Sequence, residues 1–168
     1  MGYLHDLVST FIPFTAFAHS AGTWTQTVAS NVWFTRRTAA DAAATTFIPL
    51  AFAPQRDGAQ KGSKLESVEF HFRIGTGALD AMEAHLYKAT LGADGSLLTV
   101  AEVTTTYDTG HDSAAERIDV DEHTMTLTPS SATYLDDNEY LFLEVVYDGS
   151  ATGVIDEFGA VANWTWRL

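Results

Sequence analysis

The chain has 168 residues, with 46% apolar, 12% aromatic and 18% charged side chains, no cysteine and a formal charge of −13. This length suits one domain with its own core. The missing cysteines exclude disulfides, thiolate chemistry and cysteine-ligated zinc, and the negative balance argues against nucleic-acid backbones and anionic membranes as partners.

The charge is unevenly spread. Residues 1–77 hold six Lys/Arg and five Asp/Glu, whereas residues 78–168 hold three and seventeen. The acidic surface therefore belongs to the C-terminal half.

The chain opens with a charge-poor stretch. Residues 7–35 contain no Asp, Glu, Lys or Arg and are rich in Thr, Ser, Ala and aromatics. A segment this poor in charge is ill suited to remaining free in water. It is read as an N-terminal segment (residues 1–35), either an arm against a neighbouring subunit or the first strands of the domain that residues 36–168 form. Phe11, Phe14, Phe17, Trp24 and Trp33 are its candidate assembly contacts. The run FIPFTAFA is short, contains Pro13 and follows no basic region, so neither a signal peptide nor a membrane span is expected.

Next, TTFIPLAF (45–52) places Thr46, Ile48, Leu50 and Phe52 on one face, and Pro49 puts this strand at a sheet edge or bulge. APQRDGAQKGS (53–63) reads as a loop. In KLESVEFHFRI (64–74), Val68, Phe70, Phe72 and Ile74 alternate with Ser67, Glu69, His71 and Arg73, the pattern of a half-buried antiparallel strand. A short turn or helical piece near 78–82 is expected to lead into a strand from Glu83 to Thr90, closed by the turn GADGS (92–96).

ERIDV (116–120) leads to HTMTLT (123–128), where His123, Met125 and Leu127 share a face. DDNE (136–139) reads as a turn. EYLFLEVVY (139–147) is apolar on both faces around Glu144, which predicts a central strand covered on both sides. GAVANWTWRL (159–168) puts Ala160, Ala162, Trp164, Trp166 and Leu168 on one face. Short strands separated by Gly-, Asp- and Ser-rich turns indicate an all-β fold. It is read as an antiparallel, jelly-roll-like β-sandwich with an extended N-terminal segment.

Chemistry is sparse. The loop at 107–123 offers Asp108, Asp112, Asp119 and Asp121 as oxygen ligands suited to calcium, but it lacks the spacing of an EF-hand. It is read as a solvated acidic loop, and no metal or cofactor is assigned. Glu69 and Glu144 do not announce a shared cleft, and no G-x-S-x-G elbow or phosphate-binding loop occurs. His71 and His85 would form a site only if their strands paired. Trp24, Trp33, Trp164 and Trp166 could stack on sugars, although Trp164 and Trp166 read as core. Asn163-Trp164-Thr165 matches a glycosylation sequon inside a strand. No catalytic residue is assigned.

SVEFHFRI, AHLYKATLGADGS, EHTMTLT, DDNEYLFLEVVYD and GAVANWTWRL together resemble small jelly-roll proteins of tailed-phage virions, the capsid decoration (cement), head-fibre and tail-associated type. The resemblance covers residues 65–168 and carries over no functional residue. It implies a trimeric, non-enzymatic protein on a virion surface, its N-terminal segment against a shell or capsid protein and its acidic half outward. The alternative is an extracellular carbohydrate- or receptor-binding module, calcium-assisted, with a glycan as partner.

Overall fold

The computed structural model describes residues 7–39, 42–50, 63–92, 98–136 and 138–165. Among these, the strands are β1 (Leu7–Pro13), β2 (Ala18–His19), β3 (Trp24–Ala29), β4 (Val32–Arg37), β5 (Ala43–Leu50), β6 (Lys64–Gly75), β7 (Ala81–Thr90), β8 (Thr99–Val103), β9 (Thr105–Tyr107), β10 (Glu122–Pro129), β11 (Thr133–Tyr134), β12 (Glu139–Asp148) and β13 (Val154–Thr165). One 3₁₀ turn (Phe14–Ala16) follows β1.

The strands form two antiparallel sheets, the all-β sandwich that the alternation predicts. The larger runs β3-β4-β13-β6-β10-β9, with β1 added to β13 and β11 to β6. The smaller runs β2-β5-β12-β7-β8. The inward residues of β6 (Val68, Phe70, Phe72, Ile74) meet those of β12 (Leu143, Val145, Tyr147) and β7 (Met82, Leu86), all at most 1% exposed. Side chains repeating with period two on both sheets thus supply one shared core.

Residues 7–37 are built into this sandwich. β1 pairs with β13 over its whole length, from Leu7 opposite Thr165 to Pro13 opposite Gly159. β3 and β4 form a hairpin whose turn residues, Ser30 (φ 52°) and Asn31 (φ 64°), are both left-handed, the backbone of a tight hairpin turn. β4 pairs with Ile155–Glu157, so β4 and β1 occupy successive stretches of one edge of β13. The register of β13 against β6 shifts between Glu157 and Gly159 at that changeover. Gly159 has φ 154°, and a Cβ there would lie 2.8 Å from the Phe11 ring, so glycine lets β1 close over β13.

Several expectations are corrected. β7 begins at Ala81 and no helical piece precedes it, because Met82, Ala84 and Leu86 are needed inward between the sheets, and that packing overrides helix propensity. ERIDV forms the turns that lead into β10. β13 begins at Val154, ahead of the pattern at 159–168, since the register shift breaks the period of two. β8 is exposed along Thr99–Glu102, so it carries no core pattern to read. β12 is central as expected, but its outer face is only half-buried. Pro49 lies where no described strand pairs the outer edge of β5, since β2 meets only Thr46 and Phe47. The predicted loop at 53–63 lies outside the described residues except for Ser63. Phe52, Trp166, Leu168 and most of the turn at 92–96 lie outside them as well.

One polar cluster crosses the core. Glu157 of β13 is fully buried, and its Oε1 accepts hydrogen bonds from Thr46 of β5 (2.7 Å) and Tyr147 of β12 (2.7 Å), while its Oε2 meets His19 Nε2 of β2 at 2.9 Å. The Thr46 and Tyr147 hydroxyls also contact each other. His19 stacks on Trp24 with ring centroids 3.8 Å apart. A buried carboxylate is tolerable only with such partners.

Burial, and then the Glu157 charge, raise the Tyr147 phenol well above its ordinary value of 10.0. The unfolded chain therefore releases this proton first as pH rises. The stability it contributes is full below about pH 10 and is lost progressively above it. Urea unfolding between pH 7 and 11 is expected to show this alkaline loss. Tyr147→Phe should flatten it while costing about 1 kcal/mol at neutral pH; an unchanged alkaline slope would contradict the assignment.

Candidate functional site

The acidic loop is held by its own hydrogen bonds. Asp108 accepts from the backbone N–H of Thr126 (2.6 Å) and of Gly110 (2.9 Å) and meets His111 Nδ1 at 2.8 Å. Burial alone would raise its pKa, but these bonds outweigh it and hold the carboxyl below its ordinary value. Arg117, 7% exposed, donates to the carbonyls of Met82 and His111 and lies over the Tyr107 ring at 4.4 Å. It fastens the loop to β7. His111 and His123 meet at 3.2 Å, and His123 stacks on Phe72. Among the described residues, no group of three or more His, Cys, Asp or Glu side chains is gathered as a metal set. Asp108, Asp112, Asp119 and Asp121 thus share a loop without converging on one point.

The N-terminal aromatics divide. Phe14 and Phe17 are core residues, Trp24 packs against the core, and Phe11 and Trp33 are 62% and 54% exposed. Trp164 is fully buried, so the tryptophans do not make a common platform. His71 lies on β6 and His85 on β7, in different sheets, so they cannot share a metal. Glu69 and Glu144 are likewise divided between the sheets. Asn163 donates to Ser67 and Glu69 and accepts from Ser9, which absorbs the sequon into the larger sheet.

The surface that stands out is the outer face of the smaller sheet. Phe142 of β12 lies opposite Tyr87 of β7 and Pro49 of β5. Its ring stacks on Tyr87 (centroids 5.3 Å apart, 22° between planes), with Phe47 at 6.3 Å and Tyr140 at 6.2 Å. Phe47, Tyr87 and Phe142 are half-buried, and Tyr140 is 40% exposed. Outward side chains at alternate positions of three adjacent strands therefore make one aromatic strip.

Polar groups are set into this strip. Glu144 stands opposite Phe47 on one side and His85 on the other, and Glu102 stands opposite Tyr87. The Tyr87 phenol has its pKa raised by partial burial first and then by the nearby charges of Glu144 and Glu102. It stays a donor well above neutral pH. His85 Nδ1 meets Glu102 at 2.9 Å. Aromatic carbon beside fixed hydroxyl, imidazole and carboxylate groups can contact a ligand that has both C–H faces and hydroxyls. The sequence signal for this strip was the second apolar face of β12. That face alone implies a covering layer, because alternation does not reveal whether anything packs on an outer face.

No family model matches the chain, and no curated protein matches it. Among solved structures it is similar to the CBM22-1–GH10 modules of Clostridium thermocellum endo-1,4-β-D-xylanase 10B complexed with xylohexaose. There the identity is 12%, the TM-score 0.47, and the match covers 96% of this chain but only 28% of that one. It is also similar to TmCBM61 in complex with β-1,4-galactotriose, at 9% identity and TM-score 0.37 over 96% of this chain and 88% of that one. A carbohydrate esterase from the Shiga toxin-encoding bacteriophage phi24B is similar at 10% identity and TM-score 0.42, over 95% of this chain and 99% of that one.

Proposed function

We propose that the chain is a non-catalytic glycan-binding module whose ligand lies along the aromatic strip of Phe47, Phe142, Tyr87 and Tyr140. The supporting observation is the strip itself. It is a contiguous aromatic surface on a sheet face where Thr, Ser and charged side chains would otherwise keep the protein soluble, and such patches mark interaction sites. A neutral glycan suits it better than an apolar protein partner. Glu144, Glu102 and Tyr87 put acceptors and a donor within the strip, and an apolar partner would take water from their remaining hydrogen-bonding positions and return nothing. Neither a metal nor a catalytic step is part of this reading. It places the protein outside the cell or on a surface, where glycans are met.

A second reading, a trimeric component of a virion surface seated on a shell protein, is supported by a different observation. Leu7, Phe11, Val28, Val32 and Trp33, all from the N-terminal strands, are 47–69% exposed. Such side chains suit a contact between subunits.

Two outcomes are expected. Tyr87→Ala and Phe142→Ala should each weaken binding to a cognate oligosaccharide about tenfold or more, roughly 1.4 kcal/mol. Isothermal titration would measure this, with xylohexaose and β-1,4-galactotriose as first ligands. Equal affinity in wild type and both variants would reject the strip. For the second reading, light scattering of the intact chain should give the mass of a trimer that Trp33→Ser shifts toward monomer. A wild-type monomer at high concentration would count against it.

A further inference from the structure

The outer face of the larger sheet, away from the aromatic strip, carries an ordered cluster of charged side chains. Four neighbouring strands place charged residues of alternating sign in one register row: Arg36 of β4, Asp156 of β13, Arg73 of β6 and Glu122 of β10. Asp156 is 1% exposed and fixes both guanidinium groups. Arg36 Nε and Nη2 reach it at 2.6 and 2.8 Å, and Arg73 Nε and Nη2 at 3.1 and 2.5 Å. Both guanidinium groups also lie over the Phe34 ring, at 5.2 and 5.8 Å. Forked bonds and ring contacts together hold these cations in one orientation. Asp156 leaves Nη1 of each arginine unused, and that of Arg73 faces Glu122 Oε1 at 4.0 Å.

A cleft of about 520 Å³ opens beside this row, lined by Arg36, Arg73, Asp156, Thr76, Asp121 and Glu122 among others. A second cleft of about 260 Å³ shares Arg73 and Glu122 with it and is walled by Val32, Phe34 and Phe158. The larger cleft falls in the size range of small-molecule sites. Together they make a groove with a polar half and an apolar half.

The charges select the ligand class. The two arginines are outnumbered by Asp156, Asp121 and Glu122, and the whole chain is at −13, so an anion would meet net repulsion. A cation would face two fixed guanidinium groups. A neutral polyol matches, since each hydroxyl can accept from an arginine and donate to a carboxylate, and a ring's C–H face fits against Phe158 and Val32, which keep accessible surface there. We infer that this groove is a second saccharide-binding site, on the sheet opposite the aromatic strip, that takes a neutral sugar. The choice of sugars as probes rests on the reading given for the strip, whereas the groove's geometry does not.

The test is an NMR titration of the intact chain with xylohexaose, β-1,4-galactotriose and cellohexaose, and with an oligogalacturonate as acidic comparison. The Nε–Hε signals of Arg36 and Arg73 and the amides of Thr76 and Glu122 report the groove. The amides of Tyr87 and Phe142 report the strip. The expected result is a saturable shift of the groove signals with a neutral oligosaccharide, kept in Tyr87→Ala and weakened at least tenfold in Glu122→Lys. Glu122 has a largely exposed side chain, so that variant should keep its melting temperature, and the strip's response serves as its internal control. Groove signals that stay still with every neutral sugar overturn the proposal, whatever the strip does. Tighter binding of the oligogalacturonate, strengthened by Glu122→Lys, overturns it in favour of an anion site. Movement of the strip alone leaves the reading of the strip standing and removes the second site.

Discussion

The structure turns on two adjacent carboxylates. Asp156 and Glu157 follow each other on β13 and therefore point to opposite faces of the larger sheet. Glu157 points inward, where water cannot solvate it, and must find its partners in the other sheet. It takes them from β2, β5 and β12. This fixes how the sheets face each other, because sliding either one would strand a buried charge. With Tyr147 committed inward, period two commits Leu143 and Val145 inward too and sends Tyr140, Phe142 and Glu144 outward. The aromatic strip thus follows from the pairing that closes the core.

Much of this was legible. Strict alternation located β6 and the run 123–128 of β10, and an apolar run on both faces located β12. The signal failed where the physical cause was not alternation. β8 carries no inward apolar set, so nothing marks it. β13 contains a register shift, which splits one long strand into an unreadable half and a readable one. β7 has helix-favouring residues whose inward positions only a second sheet could justify.

The candidate site was harder to read than the fold. Tyr87, His85, Glu144 and Phe142 are far apart in sequence and meet only because β7 and β12 pair in one register. Tryptophan is the conspicuous aromatic in the sequence, yet Trp164 fills the core while phenylalanine and tyrosine form the half-buried outer strip. The acidic loop drew attention as a ligand set, yet Asp108 is occupied by two backbone N–H groups and His111. Residue type announced chemistry in both cases, and placement assigned it elsewhere. The arginine pair leaves no mark in the sequence, because a charged residue in an alternating strand reads as ordinary solvated surface.

The pairing of β1 with β13 has a mechanical consequence. Leu7 and Thr165 sit opposite each other at the same end of an antiparallel ladder. Tension applied between them would load the ladder's hydrogen bonds one after another, as a zipper opens, instead of all together in shear. The first strand would peel off at low force while Glu157 still held the two sheets, so the fold should yield to pulling in stages, with the edge before the core.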